Sequence, residues 1–105
     1  MAGAIGDYDK AIALNPNSAE TYSNRGIARL ELGQIDGAIA DLKLAVRLFP
    51  ELPELHFNLG NAYSSKMDFE SAIEAYDEAI RLRSSFAVAH SQRARAIQGR
   101  EARQR

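Results

Sequence analysis

Shifted by 34 residues, this sequence falls back on itself. Residues 19–52 laid over 53–86 pair Glu20 with Glu54, Asn24 with Asn58, Gly26 with Gly60, Ala28 with Ala62, Ala38 with Ala72, Ile39 with Ile73, Ala45 with Ala79, Arg47 with Arg81 and Leu48 with Leu82. Ordinary composition gives roughly two identities over such a window. Ile35/Phe69, Leu42/Tyr76 and Val46/Ile80 are conservative exchanges. The frame runs on in both directions. Ala4, Ile5, Tyr8, Ala11, Ile12, Leu14 and Pro16 stand one period before Ala38, Ile39, Leu42, Ala45, Val46, Leu48 and Pro50, and His90, Ala94 and Ile97 stand one period after His56, Gly60 and Tyr63. A recurrence of this length marks a unit that cannot bury its own apolar face and must stack on copies of itself. Residues 1–105 then read as a single domain: a second half-repeat over 1–18, repeats over 19–52 and 53–86, and a first half-repeat or capping helix over 87–105.

Each period holds two helices, so the chain is expected to be all-α, with about six helices. Ser18 can accept an orphan backbone N–H and start a helix over 19–32, which Gly33 stops. Its partner covers 36–48 and ends before Pro50, which cannot continue it. Pro53 suits a first helical position, opening a helix over 53–66. Asp68 caps the next, over 69–82, and Ser84 or Ser85 a last one over 86–103. The turns are short, so neighbouring helices are antiparallel.

Gly26, Gly60 and Ala94 fall in mid-helix, where Gly costs roughly 1 kcal/mol relative to Ala. Small residues there let two helices of a hairpin approach. Ala38, Ala45, Ala72 and Ala79 serve the same end on the partner helices. Tyr22, Leu32, Ile35, Leu42, Leu59, Tyr63, Phe69 and Tyr76 fill the spaces between.

This pattern resembles the tetratricopeptide repeat family, whose 34-residue signature is W-x2-L-G-x2-Y, then A-x3-F, then P. The second period matches it with Leu59-Gly60, Tyr63, Ala72 and Tyr76, His56 replacing the Trp and Ser84 the closing Pro. The first has Tyr22, Gly26, Ala38, Leu42 and Pro50, but Arg25 and Arg29 stand where the signature has Leu and Tyr, and local loosening of the packing is expected there. The resemblance implies a right-handed superhelix whose first helices line a concave groove for an extended peptide or a partner helix. The groove positions it implies are Glu20, Ser23, Ile27 and Leu30, then Glu54, Phe57, Asn58, Asn61 and Ser64, then Val88, Ser91, Gln92, Arg95 and Gln98. Of these, Glu54, Phe57, Asn58, Asn61, Ser91 and Arg95 are the expected peptide-binding residues: Asn and Gln can pair with a ligand's backbone, and Phe57 supplies apolar contact unless it packs inside the stack. Members of the family that hold chaperone tails use a clamp of Lys, Arg and Asn. Asn58 matches its Asn, but the basic positions carry Ser23, Ile27, Val88 and Gln92, which offer no ammonium or guanidinium to pair a carboxylate.

The expected function is therefore a non-catalytic protein–protein interaction scaffold with no cofactor. There is no cysteine, so disulfides and thiolate metal sites are excluded and the compartment leans only mildly to the cytoplasm. No apolar run is long enough to span a membrane. No phosphate-cradling motif, HExxH or Ca²⁺ loop occurs. His56 and His90 take the place of the signature aromatic and read as packing residues, so no metal site is expected. Two alternatives stay open. One is self-assembly through an uncovered N-terminal apolar face carrying Ile5, Tyr8 and Ile12. The other is RNA binding through a basic tail: residues 93–105 carry Arg93, Arg95, Arg100, Arg103 and Arg105 against Glu101, +5 − 1 = +4, on a chain of net charge −1. The groove's Glu20 and Glu54 disfavour a nucleic acid. Helical pattern begins almost at Met1, as expected of a piece cut from a longer chain.

Overall fold

The computed structural model describes residues 2–104, so Met1 and Arg105, the last arginine of the basic tail, lie outside the described residues. Among the described residues six helices follow one another: α1 (Ala2–Leu14), α2 (Ala19–Glu31), α3 (Ile35–Leu48), α4 (Pro53–Ser65), α5 (Phe69–Leu82) and α6 (Ala87–Arg103). No strand occurs among the described residues. Each helix packs on the next. In addition α2 approaches α4 and α4 approaches α6, whereas among the described residues the backbones of α1, α3 and α5 stay apart from one another. The even helices therefore lie side by side on the inner face of the array, and the odd ones splay on the outer face.

The helix ends follow local chemistry. Ser18 Oγ accepts the Thr21 N–H at 3.2 Å and Asp68 Oδ1 the Ser71 N–H at 3.3 Å. Pro53 occupies the first turn of α4. Neither Ser84 nor Ser85 caps α6, contrary to expectation. The chain stays irregular for longer, Phe86 takes the N-cap position, and it offers no side-chain acceptor. The turns after α2 and α4 share one hydrogen-bond pattern. Gln34 N–H reaches Arg29 O at 2.8 Å and Asp68 N–H reaches Tyr63 O at 2.9 Å, closing a Schellman-type end that needs a left-handed residue. Gly33 (φ 80°) fills that place freely, and its counterpart Met67 (φ 64°) does so against its own Cβ. Met67→Gly is expected to raise stability by about 1 kcal/mol, read as a higher urea midpoint with an unchanged slope.

The core is a chain of clusters. Tyr22, Ala45 and Leu55 form one, Ile39, Leu42, Leu59, Ala62 and Ala75 the next, and Ala72, Ile73, Tyr76 and Ala96 the last. The small-residue reading is met at two of its three positions. A Cβ on Gly26 would lie 2.8 Å from Leu42 Cγ, and one on Gly60 2.5 Å from the Tyr76 ring. Ala94, the third, is exposed, because no helix among the described residues lies against that side of α6.

Arg25 and Arg29 do not loosen the first period. Arg25 Nε and Nη2 donate to Asp41 Oδ2 and Oδ1 at 2.9 and 2.7 Å, and Arg29 Nη1 donates to Asp41 Oδ2 at 3.0 Å. Asp41 is buried, at 4% exposure. Arg25 Nη1 also donates to Asp9 Oδ1 of α1 at 2.8 Å, tying three helices together. The hydrogen bonds to Asp41, opposed by burial and reinforced by Asp9, hold the Arg25 guanidinium above its ordinary pKa. Leu59, Tyr63 and Ala75 occupy the same three places in the second period, where apolar packing stands in place of the ion network.

Candidate functional site

Side by side, α2 and α4 enclose a hollow of about 360 Å³ lined by Ala19, Glu20, Ser23, Asn24 and Ile27 of α2, Phe49 and Leu52 of the α3–α4 turn, and Glu54, Leu55 and Asn58 of α4. Its existence traces to one position. Ser23, small and buried, stands where the second period has Phe57. Phe57 packs 5.9 Å from Tyr76 and 5.1 Å from Phe86, centroid to centroid, and Arg83 covers the Phe86 ring at 5.2 Å. The aromatic side chains therefore plug the equivalent space between α4 and α6, while Ser23 leaves the first one open.

The floor and walls of the hollow differ in character. Asn58 Nδ2 donates to Ser23 Oγ at 3.3 Å across the floor. Ile27, Phe49 and Leu52 expose 36%, 48% and 38% of their surfaces around it, apolar area that a folded chain gains by covering. Glu20 is exposed and makes no ion pair among the described residues. Glu54 Oε2 accepts from Arg83 Nη1 at 2.7 Å, and that hydrogen bond, aided by the backbone of Glu54 itself, holds its carboxyl below the usual range. Two carboxylates and no cation line the hollow.

The other expected groove residues scatter. Asn61 Oδ1 accepts the Tyr76 hydroxyl at 2.6 Å, and Ser64 Oγ lies 3.3 Å from that hydroxyl's oxygen. Burial raises the Tyr76 pKa, with Ser64 pulling the other way. Arg95 lines a separate hollow of about 250 Å³ with Ser64, Phe69, Gln92 and Ala96, and donates to Gln92 Oε1 at 3.4 Å. Ser91 is exposed and Leu30 is half-buried against the core. Thus Glu54 and Asn58 share one hollow, Arg95 sits in another, and Phe57 and Asn61 hold the packing between them. Phe49 and Leu52 were missed by the sequence reading. Their signal is an apolar pair flanking Pro50 in a turn, where Arg83 and Phe86 stand one period later.

The remaining candidates are placed as follows. His56 Nε2 lies 2.8 Å from Pro50 O and His90 Nε2 2.8 Å from Ser84 O, each bracing the turn ahead of its helix. Among the described residues no three His, Asp or Glu side chains gather as a metal set, and no helix is long and apolar enough to cross a membrane. Of the basic tail, Arg93 pairs with Asp77, Arg100 lies 3.8 Å from Glu70, and Arg103 donates to Met67 O. Ile12 packs on the Tyr22 cluster, and Ile5 and Tyr8 are half-buried.

Family models described as tetratricopeptide repeat match residues 7–40 and 53–86, and one described as TPR repeat matches residues 28–66. No curated protein sequence matches the chain. Among solved structures, the crystal structure of MamA protein superposes with TM-score 0.88 at 29% identity, covering 95% of this chain and 55% of that one; this chain thus spans little more than half of that relative. The first TPR domain of human RPAP3 superposes with TM-score 0.91 at 22% identity over 95% of this chain and 79% of that one. The first TPR of Spaghetti (RPAP3) bound to the HSP90 peptide SRMEEVD does so with TM-score 0.86 at 23% identity, over 90% and 75%.

Proposed function

Because the chain belongs to the tetratricopeptide repeat family, its matched segments running together from residue 7 to residue 86, we propose that it is a non-catalytic protein-interaction scaffold that takes a peptide or partner helix in the hollow between α2 and α4. The observation that carries this reading is the cluster of exposed Ile27, Phe49 and Leu52 around a polar floor held by Asn58 and Ser23. An apolar side chain of the ligand seats among the first three. The amide of Asn58 and the carboxylate of Glu20 meet its backbone and donors. Arg95 extends the same face towards α6, and Ser91 flanks it. Phe57 and Asn61 act indirectly, by keeping α4 in register against Tyr76.

The fold holds a peptide in the Spaghetti complex, at an identity that carries the fold alone. That peptide ends in acidic residues, whereas this hollow is lined by carboxylates and its clamp positions by Ser23 and Ile27. A ligand with free donors or a cation suits it better than an acidic tail. RNA is disfavoured, since three of the four described tail arginines already meet a carboxylate or a backbone carbonyl of this chain.

Selection from a displayed peptide library tests the reading. The wild-type chain is expected to enrich peptides with an apolar side chain next to a donor or cation. Ile27→Asp, a change at an exposed position, is expected to weaken the best of them by about tenfold or more. Equal binding by the folded variant places the site elsewhere.

A further inference from the structure

The hollow between α2 and α4 holds half of a contact that the second period completes within the chain. There Glu54 Oε2 accepts from Arg83 Nη1 at 2.7 Å, and the Arg83 guanidinium lies over the Phe86 ring, 5.2 Å from its centroid. A carboxylate at the start of one inner helix and a ring from the turn before the next thus hold one guanidinium between them. Glu54 and Arg83 stand 29 residues apart. The same step taken from Glu20, the counterpart of Glu54 one period earlier, leads to Phe49. The first period therefore keeps the carboxylate and has an aromatic ring in place of the cation. Glu20 and Phe49 line the hollow together. Glu20 is exposed and makes no ion pair among the described residues. Phe49 is the one exposed aromatic side chain among the described residues, every other Phe and Tyr being buried or half-buried. The second carboxylate of the hollow, Glu54, already has its cation in Arg83. What stays open is one unpaired carboxylate beside one uncovered ring, with no Lys, Arg or His along the lining.

We infer that the peptide taken by this hollow carries an arginine, whose guanidinium pairs with Glu20 and lies on the face of Phe49. The inference rests on the reading of the hollow as the peptide site and adds the side chain that the site selects. Arginine suits it better than lysine for two physical reasons. A planar guanidinium can give a carboxylate two parallel hydrogen bonds and stack on a ring at the same time, whereas an ammonium is a point charge. The guanidinium is also the more weakly hydrated cation, so it loses less on entering a hollow rimmed by Ile27, Phe49 and Leu52. An apolar side chain next to the arginine covers Ile27 and Leu52, and the amides of Asn24 and Asn58 are left for the peptide backbone.

Peptides selected on the wild-type chain from a random displayed library are the probe, and calorimetric titration of the best of them is the readout. They are expected to share an arginine beside an apolar residue. Exchange of that arginine for citrulline, which keeps the shape and removes the charge, is expected to weaken binding to the wild type by about tenfold or more. The same exchange should cost little on Glu20→Gln, whose carboxylate is already gone. Exchange for lysine should weaken binding to the wild type, and Phe49→Leu should shrink that preference for arginine over lysine. A fresh selection on Glu20→Arg, a change at an exposed position, should return an acidic residue in place of the arginine. Peptides that are lost on Ile27→Asp but share no arginine overturn the inference and leave the hollow as the site. So does a citrulline exchange that costs as much on Glu20→Gln as on the wild type. Selected peptides that bind folded Ile27→Asp as tightly as the wild type, or a library that yields none, remove the hollow as the site and the inference with it.

Discussion

Asp41→Ala is expected to destabilise the chain by about 3 kcal/mol, the lower end of the range for breaking a buried ion pair. The carboxylate is the common acceptor of Arg25 and Arg29, and its own side chain is only 5% exposed. Its removal strands two guanidinium groups against the α2–α3 contact. Both keep some access to water, at 17% and 25% exposure, and this holds the cost down. The companion experiment is the triple change Arg25→Leu, Arg29→Tyr and Asp41→Ala, which installs the second period's own solution, Leu59, Tyr63 and Ala75, in the first. It is expected to be neutral or stabilising by about 1–4 kcal/mol. Urea midpoints of the wild type and the two variants, at unchanged slope, decide the matter. If the single change is harmless, the network is decoration on a contact held by Leu42 and Gly26. If the triple change is as costly as the single one, the two solutions are not interchangeable.

Tyr76→Ala is expected to cost about 3–5 kcal/mol. The ring is fully buried, sits where a Cβ of Gly60 would be, and contacts Phe57 on its other side. Its loss opens a void at the α4–α5 crossing and frees the aromatic plug formed by Phe57 and Phe86. Tyr76→Phe keeps the ring and removes only the hydroxyl that Asn61 accepts at 2.6 Å, so its cost is expected to be about 1 kcal/mol. The tyrosine's pKa is raised by burial. Its folded form thus holds the proton longer than the unfolded chain does, and stability falls as pH rises through the ordinary tyrosine range. The Phe variant is expected to lose that share of the alkaline decline. Thermal or urea unfolding measured from neutral to alkaline pH reads both effects.

The architecture was legible because its determinants are local and repeated. Gly33, Pro50, Pro53 and Asp68 punctuate the helices within about one residue of their observed ends. The 34-residue frame says which helices meet. What escaped was a matter of neighbours in space. Two departures in one period, Arg25 and Arg29, are explained by a third residue, Asp41, once α2 and α3 lie antiparallel, at separations of 16 and 12 residues; taken singly, the two look like damage to the packing. The expected cap at Ser84 or Ser85 failed because a side-chain acceptor caps only when it stands at the first non-helical residue, and that residue is Phe86. The groove residues were drawn from one face of each even helix, and the frame places them there. It does not reveal that Phe57 spends its ring on Phe86 while Ser23 leaves a hollow. Nor does it reveal that the turn residues Phe49 and Leu52 come over to line it. Whether an inner-face side chain faces ligand or neighbour depends on what the adjacent turn delivers.

The central claim is that the inner face binds through the hollow between α2 and α4. Amide chemical-shift mapping with a library-selected peptide tests it most directly. The account predicts perturbations concentrated at Glu20, Ser23, Asn24, Ile27, Phe49, Leu52, Glu54 and Asn58, with the outer helices α1, α3 and α5 quiet. Perturbations centred on those outer helices, or on the Arg100–Arg103 end of α6, with the hollow unmoved, would contradict it.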